Sequence, residues 1–272
     1  MKMRIMVAAV GIPLLLIVLL VLPPVATGIL VAAMSVVAVY ELLIPTGLVR
    51  DIRLVVLSGL MALFIGLWSC GNREWFTFLA ALWIYFVAMF GIVLASHGKL
   101  KFELVCISAF SGIVLPILLS ALTRVLMMNY GRFYILLPFI LCFGTDSAAY
   151  FVGCAFGKHK MAPVISPKKS WEGAIGGVFG GILLMMLYAL ILRFGFKFHV
   201  SFGAAILYGV AGAVFCVIGD LIFSVIKRQT GIKDYGNLLP GHGGILDRFD
   251  SMIVVAPLVE TLLMLLPLIV AA

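Results

Sequence analysis

Apolar residues run almost without interruption along this chain and are broken at intervals by short polar stretches. An α-helix needs about 20 apolar residues to cross a bilayer whose hydrocarbon core is about 30 Å thick. The pattern therefore predicts an all-α, polytopic integral membrane protein with about nine transmembrane helices. Cutting the sequence at charges, Pro and Gly places these spans at about 5–22, 25–44, 54–71, 75–95, 102–122, 134–157, 173–194, 202–226 and 251–271.

The composition excludes most other classes of protein. Of the 272 residues, 64% are hydrophobic and 11% are charged, whereas a soluble domain has about 45–50% apolar and about 25% charged residues. Soluble enzymes, disordered chains and outer-membrane barrels with alternating strands are thereby set aside. We expect residues 1–133 to form the first five spans and residues 134–272 to form a catalytic region with two polar loops, 158–172 and 227–250.

The lysines and arginines predict how the chain lies in the membrane. The net charge is +8, which we attribute to orientation and to contact with anionic membrane lipids, not to nucleic acid. When the connections are assigned alternately to the two sides, fourteen of the 19 cations fall on the side of the N-terminus. The positive-inside rule then predicts that the N-terminus and both long loops are cytoplasmic and that the C-terminus lies outside.

Two carboxylates, Asp146 and Asp220, lie well inside predicted spans. A bare carboxylate at the centre of a bilayer costs at least about 2.5–3.5 kcal/mol, so each should face the bundle interior, a cation or water. Hydrogen bonding of Asp146 to a neighbouring helix is the structural alternative. Its helical face predicts a polar cavity, because the other residues on it are mostly small: Ala149, Tyr150, Gly153 and Gly157. Other acidic residues near span ends are expected to be solvated or interfacial: Glu41, Asp51, Glu74 and Glu103.

The loop 227–250 concentrates charged residues in a chain that otherwise has few of them. Gly243 and Gly244 would let backbone N–H groups approach an anion, and Asp247 with Asp220 could hold a divalent cation that bridges phosphates. His242 would contact phosphate or fix the loop. A loop that only contacts lipid head groups would explain its cations but not its carboxylates.

The loop 158–172 adds four lysines and leads into a predicted helix on the same side of the membrane. Lys168, Lys169 and the helix N-terminus could bind phosphate. In the alternative interpretation, Ser170 is only an N-cap and the lysines only anchor the head-group layer. The glycines of the following span favour tight packing inside the bundle over a dimer seam: Gly173, Gly176, Gly177, Gly180 and Gly181.

Three sequence blocks resemble one known family. The segment Ser224 to Asp250, with its Lys-Arg pair, Lys-Asp, Pro-Gly-His-Gly-Gly and Asp-Arg-Phe-Asp, is similar to the signature of the phosphatidate cytidylyltransferase (CDP-diacylglycerol synthase) family. Asp146 to Gly153 and Ser166 to Gly173 resemble the second and third blocks of that family. The resemblance covers most of the C-terminal half, whereas the first five spans match only in character.

The resemblance implies an enzyme of the cytoplasmic (inner) membrane that makes CDP-diacylglycerol and pyrophosphate from CTP and phosphatidic acid, with its active site facing the cytoplasm. In our assignment, Asp220 and Asp247 ligate Mg²⁺, Asp146 supports the cation centre, and a second cation such as K⁺ stays open. Lys227 and Arg228 would hold the phosphatidate phosphate, and Lys168, Lys169 and Ser170 the CTP phosphates. Further substrate contacts are expected from Ser224, Lys233, His242, Gly243, Gly244 and Arg248.

Other functions stay open at the level of the sequence. A CTP-dependent polyprenol kinase would transfer the γ-phosphate of CTP instead of the cytidylyl group. A membrane transporter is a more distant alternative, because it predicts acidic residues spread along a path and inverted repeats, whereas here the polar residues gather at one side. A homodimer also stays open.

Overall fold

The structure is a computed structural model that describes residues 2–71, 74–238 and 243–270. Helices dominate the described chain, and the all-α prediction is correct except for two short antiparallel strand pairs. The helices are α1 Lys2–Leu20, α2 Pro24–Leu43, α3 Ile52–Trp68, α4 Trp75–Ala95, α5 Phe102–Ala109, α6 Leu115–Leu119, α7 Ala121–Leu126, α8 Gly131–Tyr134, α9 Leu136–Phe156, α10 Trp171–Leu190, α11 Phe202–Gln229 and α12 Leu246–Leu265. The strands are β1 Lys160–Ala162, β2 Ser166–Ser170, β3 His199–Val200 and β4 Ile269–Val270.

Six helical segments of the described chain are long and apolar enough to cross a bilayer, and the chain is an integral membrane protein. Two shorter apolar helices, Gly11–Leu20 and Ile52–Trp68, accompany them, and the total of nine spans stays a prediction. A π-helical turn, Phe110–Val114, joins α5 to α6, and another, Ile191–Gly195, extends α10. The six segments are Pro24–Leu43, Trp75–Ala95, Phe102–Leu126, Gly131–Phe156, Trp171–Gly195 and Phe202–Gln229.

The chain divides into two compact units. The first contains the residues up to Met127 together with Lys227–Phe249, and the second contains Met128–Ile226 and the residues from Asp250 onward. The division at 133/134 separates the first five spans from the expected catalytic region by function, not by packing, and it stays a prediction.

The first unit has an apolar core between α2, α3, α4 and α5, built from residues such as Leu43, Leu54 and Met89. Asp51 starts α3 as its N-cap, because its Oδ1 accepts a hydrogen bond from the Arg53 N–H at 3.0 Å. The α2 and α3 backbones approach closely where a Cβ on Gly66 would lie 2.5 Å from Ala32. Helix α2 is therefore held in place by its close packing on α3.

The second unit is organised around the packing of α10 on α9. A Cβ on Gly176 would lie 2.5 Å from Val152, and one on Gly177 would lie 3.2 Å from the Cβ of Ala149. The glycine face thus packs inside the bundle, as the sequence predicted, and a homodimer would have to use another surface. At the other end of α10, β3 pairs with β4, with His199 opposite Val270.

The predicted boundaries at both polar loops differ from the structure. The loop 158–172 contains the β1–β2 hairpin, and α10 begins at Trp171 instead of 173. The last helix begins at Leu246 instead of 251, so that Asp247 and Arg248 lie in its first turn. Charges served as the marks for cutting the sequence, whereas acidic residues are favourable in the first turn of a helix and do not end it.

Candidate active site

A pocket in the second unit opens between α9, the β1–β2 hairpin and the start of α10. Its volume is about 410 Å³, which falls within the range of about 300–1,000 Å³ that is usual for ligand sites. We call it the α9–α10 pocket. Its wall is formed by Asp146, Ala149, Tyr150, Gly153, Cys154, Lys160, Met161, Lys168, Lys169, Ser170, Gly173, Ala174 and Val217.

The predicted face of α9 contributes Asp146, Ala149, Tyr150 and Gly153 to this pocket, whereas Gly157 is not part of the wall. Both helices have a glycine in the pocket wall. Gly153 and Gly173 have no side chains, so α9 and α10 approach closely there. Asp146 is exposed on the wall of the pocket. Its carboxylate also lies 3.5 Å from the Sγ of Cys216 on α11.

Lys169 joins the pocket to a second carboxylate on α11. Its Nζ lies 2.5 Å from Oδ2 of Asp220, and the two side chains are only 22% and 28% exposed. Asp146 interacts electrostatically with both of these groups. On the far side of Asp220, Ser224 lies with its Oγ 3.3 Å from Oδ1. Two carboxylates, on α9 and α11, and one ammonium group, on β2, are thus gathered beside the pocket.

Ser170 has a structural role at the pocket wall. Its Oγ accepts a hydrogen bond from the Gly173 N–H at 3.2 Å, so it is the N-cap of α10. The hairpin is fixed to the same helix end, because Nδ1 of His159 lies 2.6 Å from Oε1 of Glu172. These contacts help to hold the hairpin, whose Lys160 and Lys168 form part of the pocket wall.

The first unit contains the other predicted cluster, which we call the Asp247 cluster: Lys227, Tyr235, Gly244 and Asp247. Lys227 Nζ donates to Oδ1 of Asp247 at 3.0 Å, and these side chains are 11% and 3% exposed. Oδ2 of the same carboxylate accepts from the N–H of Tyr235 at 2.8 Å and of Gly244 at 3.0 Å. The Lys227 ammonium also lies 5.3 Å from the centre of the Tyr235 ring.

Local structure brings these residues together. Helix α11 ends in a Schellman motif in which Gly231, with φ of +72°, allows the Ile232 N–H to bond the Lys227 carbonyl at 3.0 Å. The chain can therefore turn back directly after the end of α11. Gly243 also has a left-handed backbone, with φ of +88°, and a Cβ there would lie 2.9 Å from Oδ2 of Asp247.

Glu41 on α2 lies beside the Asp247 cluster and bonds the residues between Gly244 and Asp247. The sequence predicted instead that it would be solvated or interfacial. It is 2% exposed. Its carboxylate accepts hydrogen bonds from the Ile245 N–H at 3.0 Å and the Leu246 N–H at 2.7 Å. That prediction for Glu41 is wrong, because the free N–H groups at the start of α12 provide the partners that water would otherwise supply.

The remaining predicted site residues differ in their surroundings. Arg228, Lys233 and Arg248 are exposed, and Ser224 is buried. His242 lies outside the described residues. Among the described residues, no group of three or more His, Cys, Asp or Glu side chains is close enough together to hold a metal ion.

Comparisons with known proteins identify the family. A model described as the cytidylyltransferase family matches residues 2–266. This chain belongs to the cytidylyltransferase family. Among curated proteins, it is 37% identical over 192 residues to a phosphatidate cytidylyltransferase of Staphylococcus epidermidis, which covers 68% of this chain and 72% of the relative.

Two further relatives of this cytidylyltransferase carry the same name and match over shorter stretches. The phosphatidate cytidylyltransferase of Haemophilus influenzae is 43% identical over 128 residues, which is 47% of this chain and 44% of the relative. That of Staphylococcus aureus is 43% identical over 133 residues, or 49% of this chain and 50% of the relative. The family resemblance read from the motifs is therefore confirmed.

Sequence reasoning missed several residues of the candidate site. Lys160 and Cys154 line the α9–α10 pocket, and Tyr235 packs in the Asp247 cluster with no exposed surface. Alternation along the hairpin could have indicated Lys160, but strands of three and five residues are too short for a clear pattern. Glu41 carried one signal, since it is an acidic residue just inside an apolar span.

Proposed function

We propose that this chain is a phosphatidate cytidylyltransferase, which transfers the cytidylyl group of CTP to phosphatidic acid and releases pyrophosphate. The observation that carries the proposal is the family match over residues 2–266. Relatives at 37% and 43% identity that bear this name supply the choice of lipid substrate. An integral membrane protein with a pocket that contains lysines and a carboxylate suits both a lipid and a nucleotide.

The proposed reaction forms one bond and breaks one bond. A phosphate oxygen of phosphatidic acid attacks the α-phosphorus of CTP, and the bond from that phosphorus to the bridging β-oxygen breaks. The phosphate groups of both substrates are negatively charged and repel each other. Catalysis therefore depends on cations and positioning, without a protein nucleophile. The lysines of the α9–α10 pocket, Lys160, Lys168 and Lys169, supply positive charge of this kind.

The nucleotide phosphates are proposed to bind Lys168 and Lys169. Lys169 already lies among carboxylates, and a triphosphate in the pocket would compete with Asp220 for its ammonium group. Ser170 caps α10 with its Oγ, so its contribution to the nucleotide site would be to fix the pocket wall. Lys227 and Arg228 are proposed to bind the phosphatidate phosphate at the end of α11, with Ser224, Lys233, His242, Gly243, Gly244 and Arg248 in supporting contacts.

Mg²⁺ is the proposed cofactor, and the carboxylates of the second unit are suited to it. Mg²⁺ sites in phosphate-transfer enzymes commonly use one or two carboxylates together with substrate phosphates, and Asp146 and Asp220 are both hard oxygen donors beside the pocket. When bound, the ion would neutralise phosphate charge. The participation of Asp247 and of a second cation such as K⁺ is proposed from the sequence alone.

The proposal includes an orientation in the membrane. Fourteen of the 19 lysines and arginines are assigned to one side, and the positive-inside rule makes that side cytoplasmic. The N-terminus and both polar loops would then face the cytoplasm, where CTP is found, and the C-terminus would lie outside the inner membrane. An odd number of spans, such as the predicted nine, is required for the termini to lie on opposite sides in this way.

Product analysis with purified protein tests the proposal. We expect CTP, Mg²⁺ and phosphatidic acid to give CDP-diacylglycerol and pyrophosphate in equal amounts, and a chelator to stop the reaction. Lys169→Gln should lower kcat/KM for CTP by about 10- to 150-fold, the effect of losing one charged hydrogen bond. Lys101→Gln, at an exposed position, is the matched control. No lipid product from the unaltered protein, or equal activity of both variants, would contradict the respective assignments.

A further inference from the structure

The glycine-rich segment that begins at Gly243 encloses two carboxylates that belong to the protein itself. The sequence predicted that its backbone N–H groups would approach an anion. In the first unit, the N–H of Gly244 donates to Asp247, and those of Ile245 and Leu246 donate to Glu41. Three successive amides are therefore already bonded, and their anions are side chains.

Glycine is required on the inner side of this arrangement. A Cβ on Gly244 would lie 2.5 Å from both carboxylate oxygens of Glu41, and a Cβ on Gly236 would lie 2.6 Å from Oε1. Real Cβ atoms do not approach other atoms so closely, so any side chain at either position would displace the carboxylate. These two glycines therefore have a packing reason that is independent of phosphate binding.

Glu41 is placed to act through the loop and not on a substrate. Its side chain is buried, and it accepts hydrogen bonds from two backbone amides at the start of α12. Those amides immediately precede Asp247, whose carboxylate in turn bonds Lys227. A negative group at a helix N-terminus is favourable both for the free amides and for the helix dipole.

We propose that Glu41 is a positioning residue of the reaction: its carboxylate holds the segment Gly243–Asp247 in one conformation, and turnover depends on that conformation. The inference rests on the proposed role of Lys227 and Asp247 in the site. It also gives the N-terminal helices, whose function the sequence left open, an indirect part in the reaction through α2.

The test compares Glu41→Ala and Glu41→Gln with Ser35→Ala. Ser35 is a buried residue of the same helix whose Oγ bonds the Val31 carbonyl, so this control removes a buried polar group without touching the loop. Hydrogen–deuterium exchange reports the amides of Ile245 and Leu246. We expect Glu41→Ala to speed their exchange by about 10- to 150-fold, the effect of losing a charged acceptor, while Ser35→Ala leaves it unchanged.

Turnover provides the second measurement. Glu41→Ala should lower kcat for CDP-diacylglycerol formation by at least about 10-fold, and Glu41→Gln should retain more activity because its carbonyl oxygen can still accept one hydrogen bond. Unchanged amide exchange in Glu41→Ala, or faster exchange with full turnover, would overturn the inference. Full turnover in Lys227→Ala would instead refute the proposed role of the Asp247 cluster, so the two failures are distinguishable.

Discussion

The Lys227–Asp247 ion pair allows the structural and the chemical roles of two predicted site residues to be separated. The two groups are 3.0 Å apart, and the side chains are almost completely buried. Removing one partner of a buried pair leaves an uncompensated charge and costs about 3–5 kcal/mol. We expect the lower end of this range for Lys227→Met, because two backbone N–H groups still bond the Asp247 carboxylate. At about 2–4 °C per kcal/mol, the melting temperature should fall by roughly 10 °C.

The double variant decides between the roles. Asp247→Asn removes the charge with little change of shape, so Lys227→Met combined with Asp247→Asn should recover about 1–3 kcal/mol relative to the sum of the single variants. If both residues also act on substrate, the double variant should regain melting temperature but remain inactive. The assays are thermal unfolding in detergent and CDP-diacylglycerol formation, with the exposed Lys101→Met as control. Additive melting shifts would refute the energetic coupling, and restored turnover would refute the chemical role.

Three further predictions follow from packing, topology and charge. Gly176→Ala should lower the free energy of unfolding by about 1–3 kcal/mol through overpacking against α9. Gly203→Ala is the control, because a Cβ there meets no atom within 4 Å. Equal melting temperatures of the two variants would contradict the close approach of α9 and α10. Val164 and Phe196 are 86% and 53% exposed at opposite ends of α10. Single cysteines at these positions should react with an impermeant thiol reagent from opposite sides of the membrane, with position 196 labelled from outside. The reverse result would invert the topology. Arg228→Ala should lower kcat/KM for phosphatidic acid about 10- to 150-fold and affect CTP less; equal losses would mean one shared phosphate cluster.

The helices were predictable because much of the chain is surrounded by lipid instead of water. A lipid environment requires long apolar helices, and a run such as Trp75–Ala95 shows this requirement directly in the sequence. The small residues of α10 were also informative, since Gly176 and Gly177 allow the backbones of α9 and α10 to approach. Predicted boundaries were wrong where charged residues belong to a helix or strand, as at Asp247 and Lys168.

The site was predictable in its residue types but not in its partners. Asp146 was selected because a charge is costly within a span, and Lys169 because its lysine-rich loop leads into a helix N-terminus; the structure places both at one pocket. The bonding of Glu41 to the start of α12 was not predictable, because it joins residues that are about 200 positions apart along the chain. Periodicity reports only local structure, so it carries no information about such a contact.

The fate of the CTP phosphates tests the central claim most directly. Purified protein is supplied with phosphatidic acid, Mg²⁺ and CTP that carries a radioactive label on either the α- or the γ-phosphate. Cytidylyl transfer predicts that the α-label enters the lipid product and that the γ-label is released in pyrophosphate. A γ-label in the lipid, with the α-label left in CDP, would instead show a kinase and contradict the account.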